Sequence, residues 1–330
     1  MYPILFTIPF INIPIYSYGV MLGTSLIVAW VFIMRFGSKD GLNREVMGNC
    51  FIFTAVSAMI GARLLYIITN PDTFSGGKFF DYLNIRQGGL VAYGGFLGGF
   101  FGSWFYMSRK KIRLLAWADV AVPTLATGLG ITRWGCFMYG CDFGKPTDLP
   151  WAVSFPNWKI RFPELYEMMN NPDAGGCMKG SLHGAPAWAE HVSQGLIDSS
   201  AEASLPVHPT QLYESLDGWI MFGILMLIWK RRYFRGQIFL IFTMMYGVTR
   251  SLFEIIRGDA ERGSIGFLST SQFVGISTFI LALIFYIILH KKARTDPQAA
   301  MALGPGAEEL ADEKQPVPAR RPKRKKKKKK

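Results

Sequence analysis

The chain alternates long apolar runs with short polar stretches, and this pattern predicts helices that cross a membrane. A helix needs about 20 consecutive, mostly apolar residues to span a bilayer. Seven runs come close to that length, at residues 18–36, 50–69, 90–107, 114–133, 212–229, 237–256 and 271–289. The third to fifth are interrupted by glycine or ionisable residues. We therefore predict an all-α polytopic membrane protein with seven transmembrane helices.

The basic residues between the runs predict the orientation of the chain. Lysine and arginine concentrate in the short cytoplasmic loops of membrane proteins. Clusters follow the first, third, fifth and seventh runs, which places all four on one side. They consist of Arg35, Lys39 and Arg44; Arg109, Lys110, Lys111 and Arg113; Lys230, Arg231, Arg232 and Arg235; and Lys291, Lys292 and Arg294. We expect the N-terminus outside and the C-terminus in the cytoplasm.

Two stretches outside the runs define the remaining organisation. Residues 134–207 contain several prolines, glycines and tryptophans and face outward on this topology. We expect them to form an irregular exoplasmic cap with short strands or helices, within a transmembrane domain covering residues 1–292. From residue 293 the composition turns to proline, alanine, glycine and charge, which predicts a disordered Lys/Arg-rich cytoplasmic tail at 293–330.

Composition and charge agree with a membrane protein. Half of the 330 residues are hydrophobic and only 18% are charged, whereas a soluble domain carries about a quarter. The net charge is +13, but ten basic residues lie within 320–330, so the rest of the chain is close to +3. The tail is a local feature and predicts no specific nucleic-acid partner. Binding to anionic lipid, a nucleic-acid-sticky appendage and a solvated tail remain open.

A stripe of polar residues crosses the outer end of the sixth run. Tyr246, Arg250, Glu254 and Arg257 fall within an arc of about 80° on a helix. Ionisable residues at membrane depth are costly and are usually paired or functional. A simple Arg250–Glu254 salt bridge that lets the helix insert is the plain alternative. It leaves Tyr246 and Arg257 unexplained, so we expect a binding site for an anion.

Two further arginines lie within the predicted spans. Arg133 ends the fourth run and precedes a glycine-rich stretch, which suggests irregular backbone lining a polar cavity. Arg63 lies in the second run. The alternative for both is a side chain that reaches the headgroups without any binding function.

Two weaker signals come from the third and fifth runs. Residues 88–99 contain three pairs of glycines around Tyr93, which predicts either close helix packing or close approach of a ligand. His208 begins the segment His-Pro-Thr-Gln-Leu-Tyr-Glu, in which Pro209 and Thr210 suit a helix start. Glu214 then falls just inside the membrane.

The cysteines and histidines do not point to a metal site. Cys136, Cys141 and Cys177 lie in the outward segment and allow one disulfide bond. The histidines of the chain have no regular ligand spacing with these cysteines. The chain also lacks a Gly-x-Ser-x-Gly elbow, a P-loop and a His-Glu-x-x-His motif. We therefore expect no metal and no cofactor.

Taken together, the separated motifs resemble the prolipoprotein diacylglyceryl transferases, a family of bacterial lipoprotein-maturation enzymes. The matching pieces are Tyr18-Gly19, Gly61-Ala-Arg63, Gly88 to Gly95 around Tyr93, Arg133 with Gly135, Gly140 and Gly144, His208 to Glu214, and Tyr246 to Arg257. Their order and spacing hold along residues 18–289. The family's seven spans and orientation agree with the topology predicted above.

The resemblance implies an enzyme of the bacterial inner membrane, multi-pass and monomeric. Such an enzyme transfers the diacylglyceryl group of phosphatidylglycerol to the lipobox cysteine thiol of a prolipoprotein. A thioether forms and glycerol-1-phosphate leaves. The implied catalytic residues are Arg133, Arg250, Tyr93, Glu254 and Glu214. The implied lipid-binding residues are Arg133, Arg250, Arg257, Arg63, Tyr18, Tyr246, Gly144 and His208.

In this scheme Arg133 and Arg250 grip the phosphate, because guanidinium groups match phosphate oxygens in a bidentate manner. Glu254 orients Arg250. The catalytic base stays open between Tyr93, Glu214 and the arginine field.

Three positions depart from the family pattern. Members commonly carry histidine at Tyr93, asparagine at Cys136 and glutamate at Cys141. A catalytically inactive or altered-substrate phospholipid-binding relative is therefore the main alternative. A transporter is a second one, but it would show internal repeats, and the sequence shows no clear repeat.

Overall fold

Most of the chain forms long helices joined by short connections. The computed structural model describes residues 2–8, 13–71, 89–170, 184–259, 263–266 and 268–307. Gly88, Cys177 and residues 308–330, which the sequence singled out, lie outside the described residues.

The elements follow one another as two short hairpins and eleven described helices. The elements are β1 Ile4–Ile8, β2 Ile13–Tyr16, α1 Ser17–Lys39, α2 Arg44–Thr69, α3 Ala92–Arg109, α4 Leu114–Tyr139, α5 Trp158–Arg161, α6 Pro163–Asn170, α7 Pro186–Ser193, α8 Thr210–Trp229, α9 Gln237–Ile256, β3 Ser264–Ile265, β4 Leu268–Ser269, α10 Thr270–Thr295 and α11 Pro297–Met301. β1 pairs antiparallel with β2, and β3 with β4.

Six of the described helices are long and apolar enough to cross a membrane, namely α1, α2, α4, α8, α9 and α10. The prediction of a helical membrane protein is confirmed at this level. α3, the predicted third span, has 18 residues, five of them glycine, and ends on Arg109. Its low hydropathy leaves it outside this group, so a seventh span and the orientation stay predictions.

The outer faces of these helices are strongly apolar. Ile27, Ile68 and Leu227 expose 68%, 72% and 77% of their surface. A water-soluble protein rarely exposes large contiguous apolar patches. Surrounding lipid explains this exposure, because lipid tails solvate such side chains.

Inside the bundle, α4 is the central helix. It packs against α1, α8 and α9, and α2 packs along α3 while α9 packs along α10. The glycines of α3 allow the close approach to α2. A Cβ atom on Gly94 or Gly98 would meet backbone atoms of Gly61. The interpretation of these glycines as helix-packing residues is confirmed.

The end of α4 corrects one prediction. The fourth run was expected to end at Arg133 and to continue as irregular backbone, but helix extends to Tyr139. Gly140 ends it in the left-handed conformation, with φ of 88°. The amides of Gly140 and Cys141 both donate to the Cys136 carbonyl, at 2.8 and 3.2 Å. Arg133 therefore has a rigid helical position, and the chain turns only afterwards.

The segment between α4 and α8 has its own small core. It contains the short helices α5, α6 and α7 and several isolated β-bridges. Phe143, Phe155, Trp158 and Val207 are almost fully buried there, together with Ile4 of β1. This core holds the loop after α4 in place, which matters for the site below.

The chain after α10 differs from the expected disorder. Helix continues to Thr295 and resumes in α11. Leu303 and Ala307 pack against a buried cluster that includes Met47 and Trp117. The backbone amide of Arg113 donates to Leu303 at 2.8 Å. Residues 296–307 thus belong to the folded body, because they cover apolar surface that the loops leave open.

Candidate functional site

A cavity of about 680 Å³ opens between α1, α3, α4, α9 and α10. One part of its wall is polar, formed by Tyr18, Tyr93, Arg133, Asp142, Tyr246, Arg250, Arg257, Thr270 and Ser271. The other part is mostly apolar and includes Phe96, Leu129, Phe242 and Val274. Such a cavity suits a ligand with a charged head and an apolar body.

Two arginines and two carboxylates form an ion-pair cluster at the centre of the site. Arg133 on α4 donates to Asp142 at 2.7 Å and contacts Glu214 of α8 at 2.6 Å. Arg257, just after α9, pairs with Asp142 and lies 3.4 Å from Glu214. Asp259 completes the pairing of Arg257 at 2.8 Å. Each carboxylate at the centre therefore bridges two guanidinium groups.

The loop after α4 brings Asp142 into this position. Asp142 itself adopts a φ of 58°. The hydroxyl of Thr210 donates to the Asp142 carbonyl at 2.6 Å, and the Gln211 amide donates to the Cys141 carbonyl at 2.6 Å. The first turn of α8 thus fixes the loop, and the start of α8 at Thr210 confirms the predicted helix start.

The electrostatic environment keeps Arg257 charged. Burial by itself lowers its pKa. The hydrogen bond to Asp259 and the charges of Asp142, Asp259 and Glu214 outweigh this and raise the pKa above its ordinary value. A buried guanidinium needs such compensation, because an unpaired charge in a low-dielectric site is very costly.

Arg250 on α9 is held differently. One Nη atom lies 2.9 Å from Glu254 and donates to the Ser271 hydroxyl at 3.1 Å. Its other Nη atom is buried and has no hydrogen-bond partner in the described part of the chain. A buried donor without a partner costs about 1–3 kcal/mol. Arg250 therefore keeps one donor beside the cavity that the described residues do not use.

The three tyrosines that the sequence singled out also reach the cavity. Tyr18 comes from α1, Tyr93 from the first turn of α3 and Tyr246 from α9. Tyr93 is 47% exposed. The Tyr246 ring stacks on Phe242, with ring centroids 5.8 Å apart. The polar wall thus carries phenols as well as guanidinium groups.

Comparisons with known proteins identify the family of the chain. The family model described as prolipoprotein diacylglyceryl transferase matches residues 3–288 of the chain. The chain belongs to the prolipoprotein diacylglyceryl transferase family. Similar curated proteins carry the name phosphatidylglycerol–prolipoprotein diacylglyceryl transferase. That of Clostridium tetani (strain Massachusetts / E88) is 28% identical over 288 residues, covering 87% of this chain and 98% of its own. Phosphatidylglycerol–prolipoprotein diacylglyceryl transferase 2 of Clostridium perfringens (strain 13 / Type A) is 29% identical over 285 residues. This match covers 86% of this chain and 95% of the relative.

Five of the residues implied by the family resemblance do not line the cavity. Glu214 and Glu254 lie behind the wall and pair with its arginines. Arg63 donates to the Gly89 carbonyl at 3.1 Å and lies over the Tyr66 ring. Gly144 and His208 meet through a backbone hydrogen bond of 3.0 Å. Gly144 and His208 therefore hold the loop after α4 to the start of α8.

Sequence reasoning missed three polar residues that contact the arginines of this transferase-family site. Asp142 is central to the ion pairs, Asp259 pairs with Arg257, and Ser271 accepts from Arg250. Asp142 directly follows Cys141, the position where family members usually carry glutamate. A carboxylate one residue further along was the available signal, and the turn at Gly140 brings it to the arginines.

Proposed function

We propose that the chain transfers the diacylglyceryl group of phosphatidylglycerol to the lipobox cysteine thiol of prolipoproteins. A thioether forms and glycerol-1-phosphate is released. The observation that carries this proposal is the cavity with arginines at one part of its wall and apolar side chains at the other. The names and nearly full-length coverage of the relatives support the same reaction.

Arg250 is the first contact for the phosphate in this proposal. Arg133 and Arg257 are each held by at least two carboxylates, whereas Arg250 keeps a buried Nη donor unused. As the C–O bond breaks, negative charge grows on the departing phosphate. Donors fixed around that phosphate stabilise the charge without reorganising. Arg133 and Arg257 add positive potential from fixed positions.

The roles of the carboxylates follow from their partners. Glu214 is nearly buried and bridges Arg133 and Arg257, an arrangement that favours a positioning role over proton transfer. Glu254 positions Arg250 in the same way. Tyr93 is partly exposed on the cavity wall, where its hydroxyl can hydrogen-bond the lipid or the incoming thiol.

The proposed topology completes this assignment. We propose seven spans in the bacterial inner membrane, namely the six long apolar helices and α3. The glycines of α3 hold it against α2. The N-terminus lies outside and the C-terminus lies in the cytoplasm. The segment between α4 and α8 then forms an exoplasmic cap, and the cavity faces the outer leaflet. We propose a monomer, because described residues of a single chain line the cavity.

The test is transfer by purified protein, with phosphatidylglycerol and a lipobox peptide as substrates. We expect Arg250→Ala to lower the transfer rate by roughly 100-fold or more, as for removal of one donor from a site that stabilises an anion. Arg161→Ala, at an exposed position of α5, is the matched control and keeps the rate. Normal lipoprotein modification by Arg250→Ala in a strain depleted of its own transferase would contradict the phosphate role.

A lipid-binding protein without transferase activity is the second candidate. Cys136 and Cys141, which replace the usual asparagine and glutamate next to Arg133, are the observation in its favour. The same assay separates the two. Binding of phosphatidylglycerol vesicles or micelles without thioether formation would establish this alternative.

A further inference from the structure

The turn after α4 brings two thiols and a carboxylate together beside the cavity. The Sγ atoms of Cys136 and Cys141 and a carboxylate oxygen of Asp142 lie within 4.8 Å of one another. Both cysteines are free thiols. Cys136 and Asp142 line the cavity, and Cys141 lies next to them.

Local geometry explains why these atoms meet. The amide of Cys141 donates to the carbonyl of Cys136, five residues earlier, across the left-handed Gly140. This arrangement at a helix end brings the side chains of the two bonded residues into contact. Histidine spacing alone predicts no metal site here, because the ligands come from one turn and not from a periodic motif.

We propose that Cys136, Cys141 and Asp142 bind a zinc-like divalent cation, with an open coordination position facing the cavity for the substrate thiol. The inference rests on the proposed function, because the open position is assigned to a substrate cysteine. Two thiolates and one carboxylate are a suitable ligand set for zinc, and catalytic zinc sites keep three protein ligands and one open position.

The distances allow this coordination with small movements. A tetrahedral zinc ion with a Zn–S distance near 2.3 Å separates its ligand atoms by roughly 3.4–3.8 Å. The ligand atoms lie within 4.8 Å of one another. Side-chain rotations that shorten these distances by about 1.4 Å or less bring the atoms to the separation that zinc requires. Arg133, at 2.7 Å from Asp142, then hydrogen-bonds a metal-bound carboxylate, as second-shell partners commonly do.

The charge balance also allows a cation. Among the described residues, the three arginines of the cavity are paired with four carboxylates. Asp142 already pairs with Arg133 and Arg257, so positive charge added beside it has to be balanced by the metal ligands themselves. Two thiolates balance the charge of a dication, so the bound metal adds no net charge to the site.

Metal binding would supply thiol deprotonation, for which Tyr93 is a poorer base than the histidine common in the family. A thiol is a poor nucleophile until it loses its proton, and a coordinated thiol is deprotonated outright. The proton of the substrate thiol passes to water on coordination. The sulfur then forms a bond to the glyceryl carbon as the C–O bond to phosphate breaks, and that electron pair leaves with glycerol-1-phosphate. No oxidant or reductant takes part.

The experiment uses the full chain, purified in detergent, reduced and stripped of metal by a chelator. Titration with Co²⁺ should give a thiolate-to-cobalt charge-transfer band that saturates at one equivalent, and Zn²⁺ should abolish it. Cys136→Ser and Cys141→Ser should each weaken binding by at least about 100-fold, the upper end of the loss seen for second-shell changes. Cys50→Ser, at a free thiol in α2, is the matched control and should retain the band.

Two further readings keep the result decisive if a serine variant does not fold. Zn²⁺ should raise the melting temperature of the unmodified protein, whereas Mg²⁺, which prefers oxygen ligands, should not. Absence of the cobalt band in reduced protein, or a band unchanged in both serine variants, would overturn the site. A stable Cys136–Cys141 disulfide in freshly isolated protein, seen by intact mass, would overturn it as well.

Transfer assays on the same samples separate this inference from the proposed function. We expect the metal-free protein to lose activity and to regain it with Zn²⁺. Full activity of the metal-free protein would refute thiol activation while the proposed function stands. Cobalt binding by protein that transfers nothing in either state would leave the site intact and refute the proposed function.

Discussion

At the residue scale, the site contains two kinds of arginine. Arg133 and Arg257 share the carboxylates of Asp142 and Glu214, so each charge is compensated within the protein. Arg250 pairs with one carboxylate and keeps a buried donor without a partner among the described residues. The first pair builds a rigid electrostatic frame, and in the proposed function Arg250 supplies the donor to the ligand.

The frame predicts a stability cost for removing Glu214, which is only 3% exposed. Glu214→Ala removes one of the two carboxylates that the buried Arg133 and Arg257 guanidinium groups share. Breaking a buried ion pair costs about 3–5 kcal/mol, and we expect a loss of that size in unfolding free energy, measured in detergent by denaturant titration. The control is Glu202→Ala at an exposed position. Equal stabilities of the two variants would show that Asp142 and Asp259 alone compensate the charges of Arg133 and Arg257.

At the element scale, close helix contacts depend on glycine at particular positions. α3 approaches α2 so closely that a Cβ on Gly98 would meet the Ser57 backbone as well as Gly61. This contact compensates for the low hydropathy of α3, because van der Waals packing between close backbones drives association of helices in lipid. The position of Tyr93 at the start of α3 depends on the same contact.

We therefore expect Gly98→Ala to destabilise the protein by about 1–3 kcal/mol, the usual cost of overpacking. Gly223→Ala in α8 is the matched control, since a Cβ there meets no atom within 4 Å. Thermal unfolding of both variants in detergent measures the difference. If Gly98→Ala has the same melting temperature as the unmodified protein, the α2–α3 contact accommodates an added methyl group more easily than the structure indicates.

At the scale of the whole molecule, the end of the bundle where α9 begins is closed by ion pairs and by the chain after α10. Asp40 pairs with Arg232 and Arg235, all of them nearly buried. The Arg235 guanidinium donates to the Met301 carbonyl at 3.0 Å, and its backbone amide donates to Ala300 at 3.0 Å. Residues 297–307 thus tie together loops that lie far apart in the sequence.

Two truncations test this closure. Removal of residues 308–330 should leave stability and transfer activity intact, because the packing contacts found in the described part of the segment come from residues up to Ala307. Removal of 297–330 should lower the melting temperature, because Leu303 and Ala307 leave a buried cluster and Arg113 and Arg235 lose backbone partners. Melting curves and lipobox-peptide transfer for both truncations provide the measurement. Identical curves would mean that the segment only rests on the surface.

Hydrophobic length is a local property, so the sequence alone placed the long helices. α9 begins and ends where the apolar run predicted, at Gln237 and Ile256. The helical period also placed Tyr246, Arg250 and Arg257 on one cavity wall. These features depend only on neighbouring residues and on the cost of leaving apolar or charged groups in the wrong solvent.

The tertiary structure decided which groups meet. Asp142 reaches Arg133 and Arg257 only because Gly140 ends α4 in a left-handed turn and Thr210 fixes the loop. The two thiols beside the cavity meet for the same reason, and residues 296–307 fold because distant loops leave apolar surface for them to cover. Such contacts join residues far apart in sequence, or depend on one backbone angle. The pattern of hydrophobic and polar residues along the chain therefore does not predict these contacts.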